Sequence, residues 1–148
     1  EKGKTVMKKI NEVSQIVGVS KRTLQYYDDE GILPIERTAN NHGIYDQQAL
    51  ERIWQILIYK EMDFGLKEIR QLMRVSDNQR DILFMERIER IGNQIITLKV
   101  QMGFISLVQV SGMPVKPEEY HRKAYVRYIE EIREKIQKEI MEEGKGVF

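Results

Sequence analysis

The chain has 148 residues, 41% of them apolar and 32% charged, with a formal net charge of +1 and no cysteine. This balance fits a folded, largely helical protein and argues against disorder; the missing cysteines exclude disulfides, thiolate zinc sites, cysteine-held iron–sulfur clusters and thiol redox sensing. Lys+Arg and Asp+Glu number 12 and 11 in residues 1–75, and 12 and 12 in residues 76–148, so bulk charge makes no case for a nucleic-acid or membrane partner and any basic surface must be local.

In chain order, a first helix is predicted over Ile10–Val17, burying Val13, Ile16 and Val17. Gly18-Val19-Ser20 turns the chain. The Ser20 hydroxyl can accept a bond from a free backbone N–H and so start a second helix, which runs to about Glu30 and stops before Gly31. Two short helices joined by such a turn read as a helix-turn-helix. Ile32–Ile35 and Gly43–Tyr45 flank the polar stretch Glu36–His42, a pattern predicting a two-stranded hairpin, or wing. Asp46 caps a third helix whose apolar positions Leu50, Ile53, Trp54, Leu57 and Ile58 form one stripe. Met62–Gly65 turns into a fourth helix carrying Leu66, Ile69, Leu72 and Met73.

On the second helix Leu24 faces the core and Tyr27, three residues on, shares that face. Lys21, Arg22, Gln25 and Tyr26 point the other way. Cations there suit phosphates, and an amide and a phenol suit base edges in a major groove wide enough for a helix. An ordinary solvated helix face could carry the same charges. The adjacent tyrosines are more telling, because a short amphipathic helix cannot bury both.

The run Ile10-Asn11-Glu12-Val13, then Gly18 to Asp28, then Gly31-Ile32-Leu33, resembles the start of a MerR-family transcription regulator. Arg37, Tyr45, Ala49–Ile53 and Phe64–Ile69 continue the resemblance in register, over about residues 8–75. It implies a winged helix-turn-helix with a second, helical wing, in a homodimer that binds a pseudo-palindromic promoter. It also implies distortion of an overlong spacer so that RNA polymerase can engage both promoter elements. Carried over by position, Arg22, Tyr26 and Tyr27 become recognition-helix contacts and Arg37 a wing contact to phosphate. Lys60 and Lys67 lie near the second wing. Three departures stand out. Gln25 replaces a usual Arg, Asn41-His42-Gly43 replaces a usual Gly-Tyr-Arg wing tip, and Asp63 replaces a usual Gly. With cations lost and His42 mostly neutral at pH 7, a shallower salt dependence of binding is expected.

From Asn78 to Val110 no proline interrupts a helix. Phe84, Ile88, Ile91, Ile95, Leu98, Met102 and Ile105 recur at heptad spacing. One long core helix in a monomer is the plain alternative, but the remaining residues are too few to cover so long a stripe. The resemblance implies an antiparallel coiled coil between two chains. Gly92 and Gly103 permit close helix approach or weaken the helix. After Pro117 a further helix is predicted to about Glu143, with Tyr125, Ile129, Ile132, Ile136 and Ile140 on one stripe and Glu131–Lys135 and Glu134–Lys138 as supporting pairs. Tyr120, His121, Tyr125 and Tyr128 cluster near its start. They read either as packing or as part of a site for a small organic effector.

The expected fold is therefore mainly α: a winged helix-turn-helix domain (8–75), a coiled-coil dimerisation helix (78–110) and a C-terminal helical region (114–148). No nucleophile–base pair, phosphate loop or metal cluster is evident, so no catalytic residue, metal or cofactor is expected. No apolar run approaches the ~20 residues of a membrane span and no signal peptide is visible, which makes a cytoplasmic protein the expectation. Two other readings compete with a promoter regulator. One is a repressor or adaptor governed by a protein docking on the C-terminal helix; the other is an architectural DNA-bending protein similar to excisionase-like winged helices, which the long seam disfavours.

Overall fold

The computed structural model describes residues 7–119 and 122–144 and divides into two units, Glu1–Arg80 and Asp81–Phe148. In the first unit, α1 (Ile10–Val17) ends on Gly18, whose φ of +71° lets its N–H return to the Ser14 carbonyl, a left-handed closure that a side chain would strain. Ser14 Oγ also donates to the Val19 carbonyl at 2.6 Å. Ser20 then caps α2 (Lys21–Asp29), accepting from Thr23 N at 3.1 Å. The cap, the turn and both helices lie where the sequence predicts them.

The hairpin differs from expectation. Its strands are β2 (Glu36–Arg37) and β3 (Gly43–Tyr45), paired Glu36↔Ile44 and Arg37↔Gly43, and β1 (Lys8–Lys9) adds to the other edge of β3 to make the order β1-β3-β2. Pro34 has no N–H to give a ladder, so Ile32 and Leu33 pass into the core instead of pairing.

Asp46 Oδ1 accepts from Ala49 N at 2.8 Å and starts α3 (Gln47–Glu61). The buried stripe is Ala49, Ile53 and Ile56, while Trp54 is 66% exposed and Ile58 is exposed as well. The helix is thus turned by about 100°, one residue, from the predicted stripe. α1, α4 and β3 all pack against α3 and so select its Ala49–Ile53–Ile56 face. The same competition leaves only Val13 of α1 fully buried, with Ile16 55% exposed. α4 (Leu66–Leu72) closes the unit with Ile69 and Leu72. The core is Val13, Leu24, Tyr27, Ile32, Leu33, Tyr45, Ile53, Ile56, Phe64, Ile69 and Leu72.

α5 (Asp77–Ser111) is one unbroken helix of 35 residues, about 52 Å long at 1.5 Å per residue. Ser76 and Gln79 cap its start reciprocally, Gln79 N to Ser76 Oγ at 3.3 Å and Ser76 N to Gln79 Oε1 at 3.4 Å, the exchange expected of a capping box. Gly112, at φ +81°, ends it. By length and composition α5 is apolar enough to cross a membrane, one 18-residue stretch of it having a mean hydropathy of 1.2, although no long uninterrupted apolar run exists. A coiled-coil seam of this length meets the same description.

In the second unit α6 (Tyr125–Gly144) begins later than predicted from Pro117 and packs on α5. Val100 is buried, Ile96, Phe104, Leu107 and Val108 are half-buried, and so are Ile132, Ile136 and Ile140 of α6. Gly103 lies beneath Ile136, a close approach, whereas Gly92 faces open space. Glu131 pairs with Lys123 at 2.7 Å instead of relying on Lys135.

Candidate nucleic-acid interface

The outer face of α2 carries Lys21, Arg22, Gln25 and Tyr26, all exposed. Arg22, Thr23, Gln25, Tyr26 and Asp29 line a shallow hollow there. Tyr26 is 47% exposed and Tyr27 is 1% exposed. This resolves the tyrosine pair and corrects one expectation. Tyr27 is a core residue, not part of the exposed face, because it shares the Leu24 side of the helix. Its hydroxyl accepts from Lys60 Nζ at 3.4 Å, and the same ammonium lies 6.0 Å from the ring centroid. Asp29 brings a carboxylate to the face, a residue that no periodic or capping pattern singles out.

The last turn of α2 gathers cations from three other elements. Asp28 Oδ2 accepts from Arg37 Nη2 of the wing at 2.6 Å. Glu30 Oε2 accepts from Arg70 Nη2 of α4 at 3.3 Å, and Arg70 Nε is buried with no hydrogen-bond partner among the described residues. Tyr27 holds Lys60 of α3. Two of the cations expected near phosphate, Arg37 and Lys60, are therefore held by side chains of α2 itself. The signal was the run Asp28-Asp29-Glu30, which by pattern alone is simply an acidic helix end.

At the wing tip Asn41 adopts φ +63°, a conformation asparagine tolerates, and Arg37 Nη1 donates to its carbonyl at 3.3 Å. His42 is exposed, with its N–H directed to Thr38 Oγ1 at 3.2 Å. Lys67 is exposed in the first turn of α4. Tyr45, buried in β3, has its phenol pushed above the usual tyrosine range, first by burial and then by the Asp28 carboxylate, with Arg37 opposing. Where the chain enters the hairpin, Ile35 N donates to Asp28 Oδ1 of α2 at 3.2 Å.

Residues 8–75 match the family described as MerR HTH family regulatory protein. Residues 8–75 form a MerR-family helix-turn-helix domain. The chain, MerR domain included, is 30% identical over 150 residues to the HTH-type transcriptional activator mta of Bacillus subtilis, covering 90% of this chain and 57% of that protein. It is 38% identical over 84 residues to the nodulation protein NolA of Bradyrhizobium elkanii, covering 55% of this chain and 38% of that one. The chain thus spans about half or less of the length of these relatives. Among solved structures, the N-terminus of the B. subtilis multidrug transporter activator MtaN superposes with a TM-score of 0.62 at 28% identity, over 70% of this chain and 99% of that one. The MerR family and mta are regulators, not enzymes.

In the second unit the heptad residues Ile88, Ile91, Ile95, Leu98, Met102 and Ile105 are all exposed, by 37% to 67%, and Phe84 is half-buried. They lie on a different face of α5 from Val100, Gly103 and Phe104. Tyr125 and Tyr128 line a hollow of about 400 Å³ with Phe104, Val108, Pro117 and Ile132, and Lys123 Nζ sits 5.3 Å from the Tyr128 ring centroid. Tyr120 and His121, grouped with them by sequence, lie outside the described residues. No group of three His, Cys, Asp or Glu able to hold a metal occurs among the described residues.

Proposed function

We propose that this chain is a DNA-binding transcription regulator that acts as a homodimer on a pseudo-palindromic promoter and works by distorting the spacer DNA, with RNA polymerase close by on the same promoter. The observation that carries the reading is the division of α5 into two apolar faces. One is covered by α6 of the same chain. The other, the ridge from Ile88 to Ile105, is exposed, and a stripe of that length is stable in water only when a second helix covers it.

Two copies paired through this ridge offer two α2 faces to one duplex. Lys21, Arg22, Gln25 and Tyr26 enter the major groove, while Arg37, His42, Lys60 and Lys67 meet the backbone. Bending a promoter costs on the order of several kcal/mol, offset by these phosphate contacts. The protein works in the cytoplasm, where bacterial DNA is.

The test is Ile95→Asp. Ile95 is half exposed in the single chain, so the variant keeps its helix content by circular dichroism. It is expected to run as a monomer in light scattering and to lose its footprint on the promoter upstream of its own coding region. A dimer that persists rejects the reading.

A second element of the proposal is a small organic effector, supported by the apolar hollow at Tyr125 and Tyr128, whose volume suits a small molecule. If α6 instead docks a protein, deleting residues 117–148 abolishes a pulled-down partner rather than a metabolite response.

A further inference from the structure

We propose that Asp28 is a positioning residue for DNA recognition, holding the wing's Arg37 against the recognition helix so that specific binding gains and nonspecific binding loses. The inference rests on the DNA-binding reading above and goes further by assigning a role to a carboxylate.

Asp28 stands in the last turn of α2, one residue from the core Tyr27 and two from the exposed Tyr26. Its side chain is only 16% exposed, that of Arg37 42%. Oδ2 accepts from Arg37 Nη2 at 2.6 Å, and Oδ1 accepts from Ile35 N at 3.2 Å where the chain enters the wing. Both carboxylate oxygens are thus spent on the wing, one on its backbone and one on its cation. Arg37 Nη1 reaches the Asn41 carbonyl at the wing tip. The guanidinium therefore bridges α2 and the tip of the hairpin, and its remaining N–H groups are left for a phosphate.

Two consequences follow, with opposite signs. A long arginine already held in one geometry loses less freedom when it meets a phosphate, so binding in the correct register strengthens. The same carboxylate cancels one positive charge beside the DNA, so the general attraction to any duplex weakens and releases fewer counterions. A carboxylate that only stabilised the fold would support both kinds of binding. One that acted only through its charge would oppose both.

The experiment uses the full chain and two duplexes of equal length: one enriched by the wild-type protein from a random library, and its scrambled version. Affinity for each is measured by fluorescence anisotropy across a salt series. Asp28→Asn keeps the size of the side chain and an acceptor for Ile35 N but removes the charge. It is expected to weaken binding to the enriched duplex about ten-fold, the loss of a charge-assisted bond, and to tighten binding to the scrambled duplex with a steeper salt slope. Asp28→Glu keeps the charge but displaces the carboxylate; it should weaken the enriched duplex and leave the scrambled one unchanged. If either variant keeps the wild-type ratio of the two affinities, or loses both affinities together, the proposal is overturned. If the wild type enriches no sequence, the DNA-binding reading itself fails, and this inference falls with it.

Discussion

A methyl group on Gly103 would sit 2.5 Å from Ile136 Cγ2, whereas one on Gly92, three turns earlier in the same helix, would meet nothing within 4 Å. The two glycines therefore have opposite meanings. Gly92→Ala should gain about 0.5–1 kcal/mol from helix propensity. Gly103→Ala gains the same and then loses about 1–3 kcal/mol to overpacking, because the atom it meets is a branch carbon that cannot swing away. Denaturant midpoints should rank Gly92→Ala above wild type and Gly103→Ala below it. In an Ile136→Ala background Gly103→Ala should no longer destabilise.

Tyr26 and Tyr27 are adjacent in sequence and separated by function. Tyr26→Ala should leave the melting temperature almost unchanged and weaken DNA binding by about 1–3 kcal/mol if the phenol reads a base edge or phosphate. Tyr27→Ala empties a core site and should cost about 3–5 kcal/mol of stability. Tyr27→Phe should do neither, since the ring remains and only the bond from the exposed Lys60 is lost. Thermal melts and anisotropy titrations on the three variants check this directly.

Asp63, at the turn into α4, adopts φ +60°, and its N–H returns to the Lys60 carbonyl at 2.9 Å. The left-handed region is open to glycine, tolerable for aspartate and costly for a β-branched side chain. Asp63→Gly should shift stability by less than about 0.5 kcal/mol, and Asp63→Val should cost about 1–2 kcal/mol. Urea unfolding of the two variants gives the comparison, and equal effects would contradict the turn geometry.

The raised pKa of Tyr45 makes an alkaline prediction. Its phenol is buried and faces the Asp28 carboxylate, so the neutral form is favoured in the folded chain. The unfolded chain then gives up its proton first, near the ordinary value of about 10. The stabilising contribution is complete below that pH and is lost as pH rises through the higher folded value. Stability measured between about pH 9.5 and 11 should fall more steeply in wild type than in Tyr45→Phe. Parallel slopes would mean that Tyr45 does not titrate with unfolding.

Much of the molecule is readable from local chemistry. Gly18 and Ser20 bracket the turn between α1 and α2, and Asp46 marks the start of α3, because caps and left-handed closures depend on one or two side chains and their immediate backbone. The α5 ridge is equally legible, since heptad spacing over a proline-free run repeats many times. α3 was not, at the level of its facing: Leu50, Trp54 and Leu57 form as good a stripe as Ala49, Ile53 and Ile56, and a helix with apolar residues on both sides does not say which one its neighbours will choose.

Spacing and capping along the chain were thus enough to establish a winged helix-turn-helix, a long helix with a heptad apolar ridge and an exposed polar face on α2. Three-dimensional packing was needed to orient them. It put Tyr27 inside and Tyr26 outside, turned Trp54 to solvent, set α6 on the Gly103 face so that the Ile95 face stayed bare, and brought Asp28 to Arg37 across nine residues. Periodicity and caps act over a turn or two of chain, whereas these outcomes depend on which surfaces compete for burial and on which charges meet once the backbone has folded.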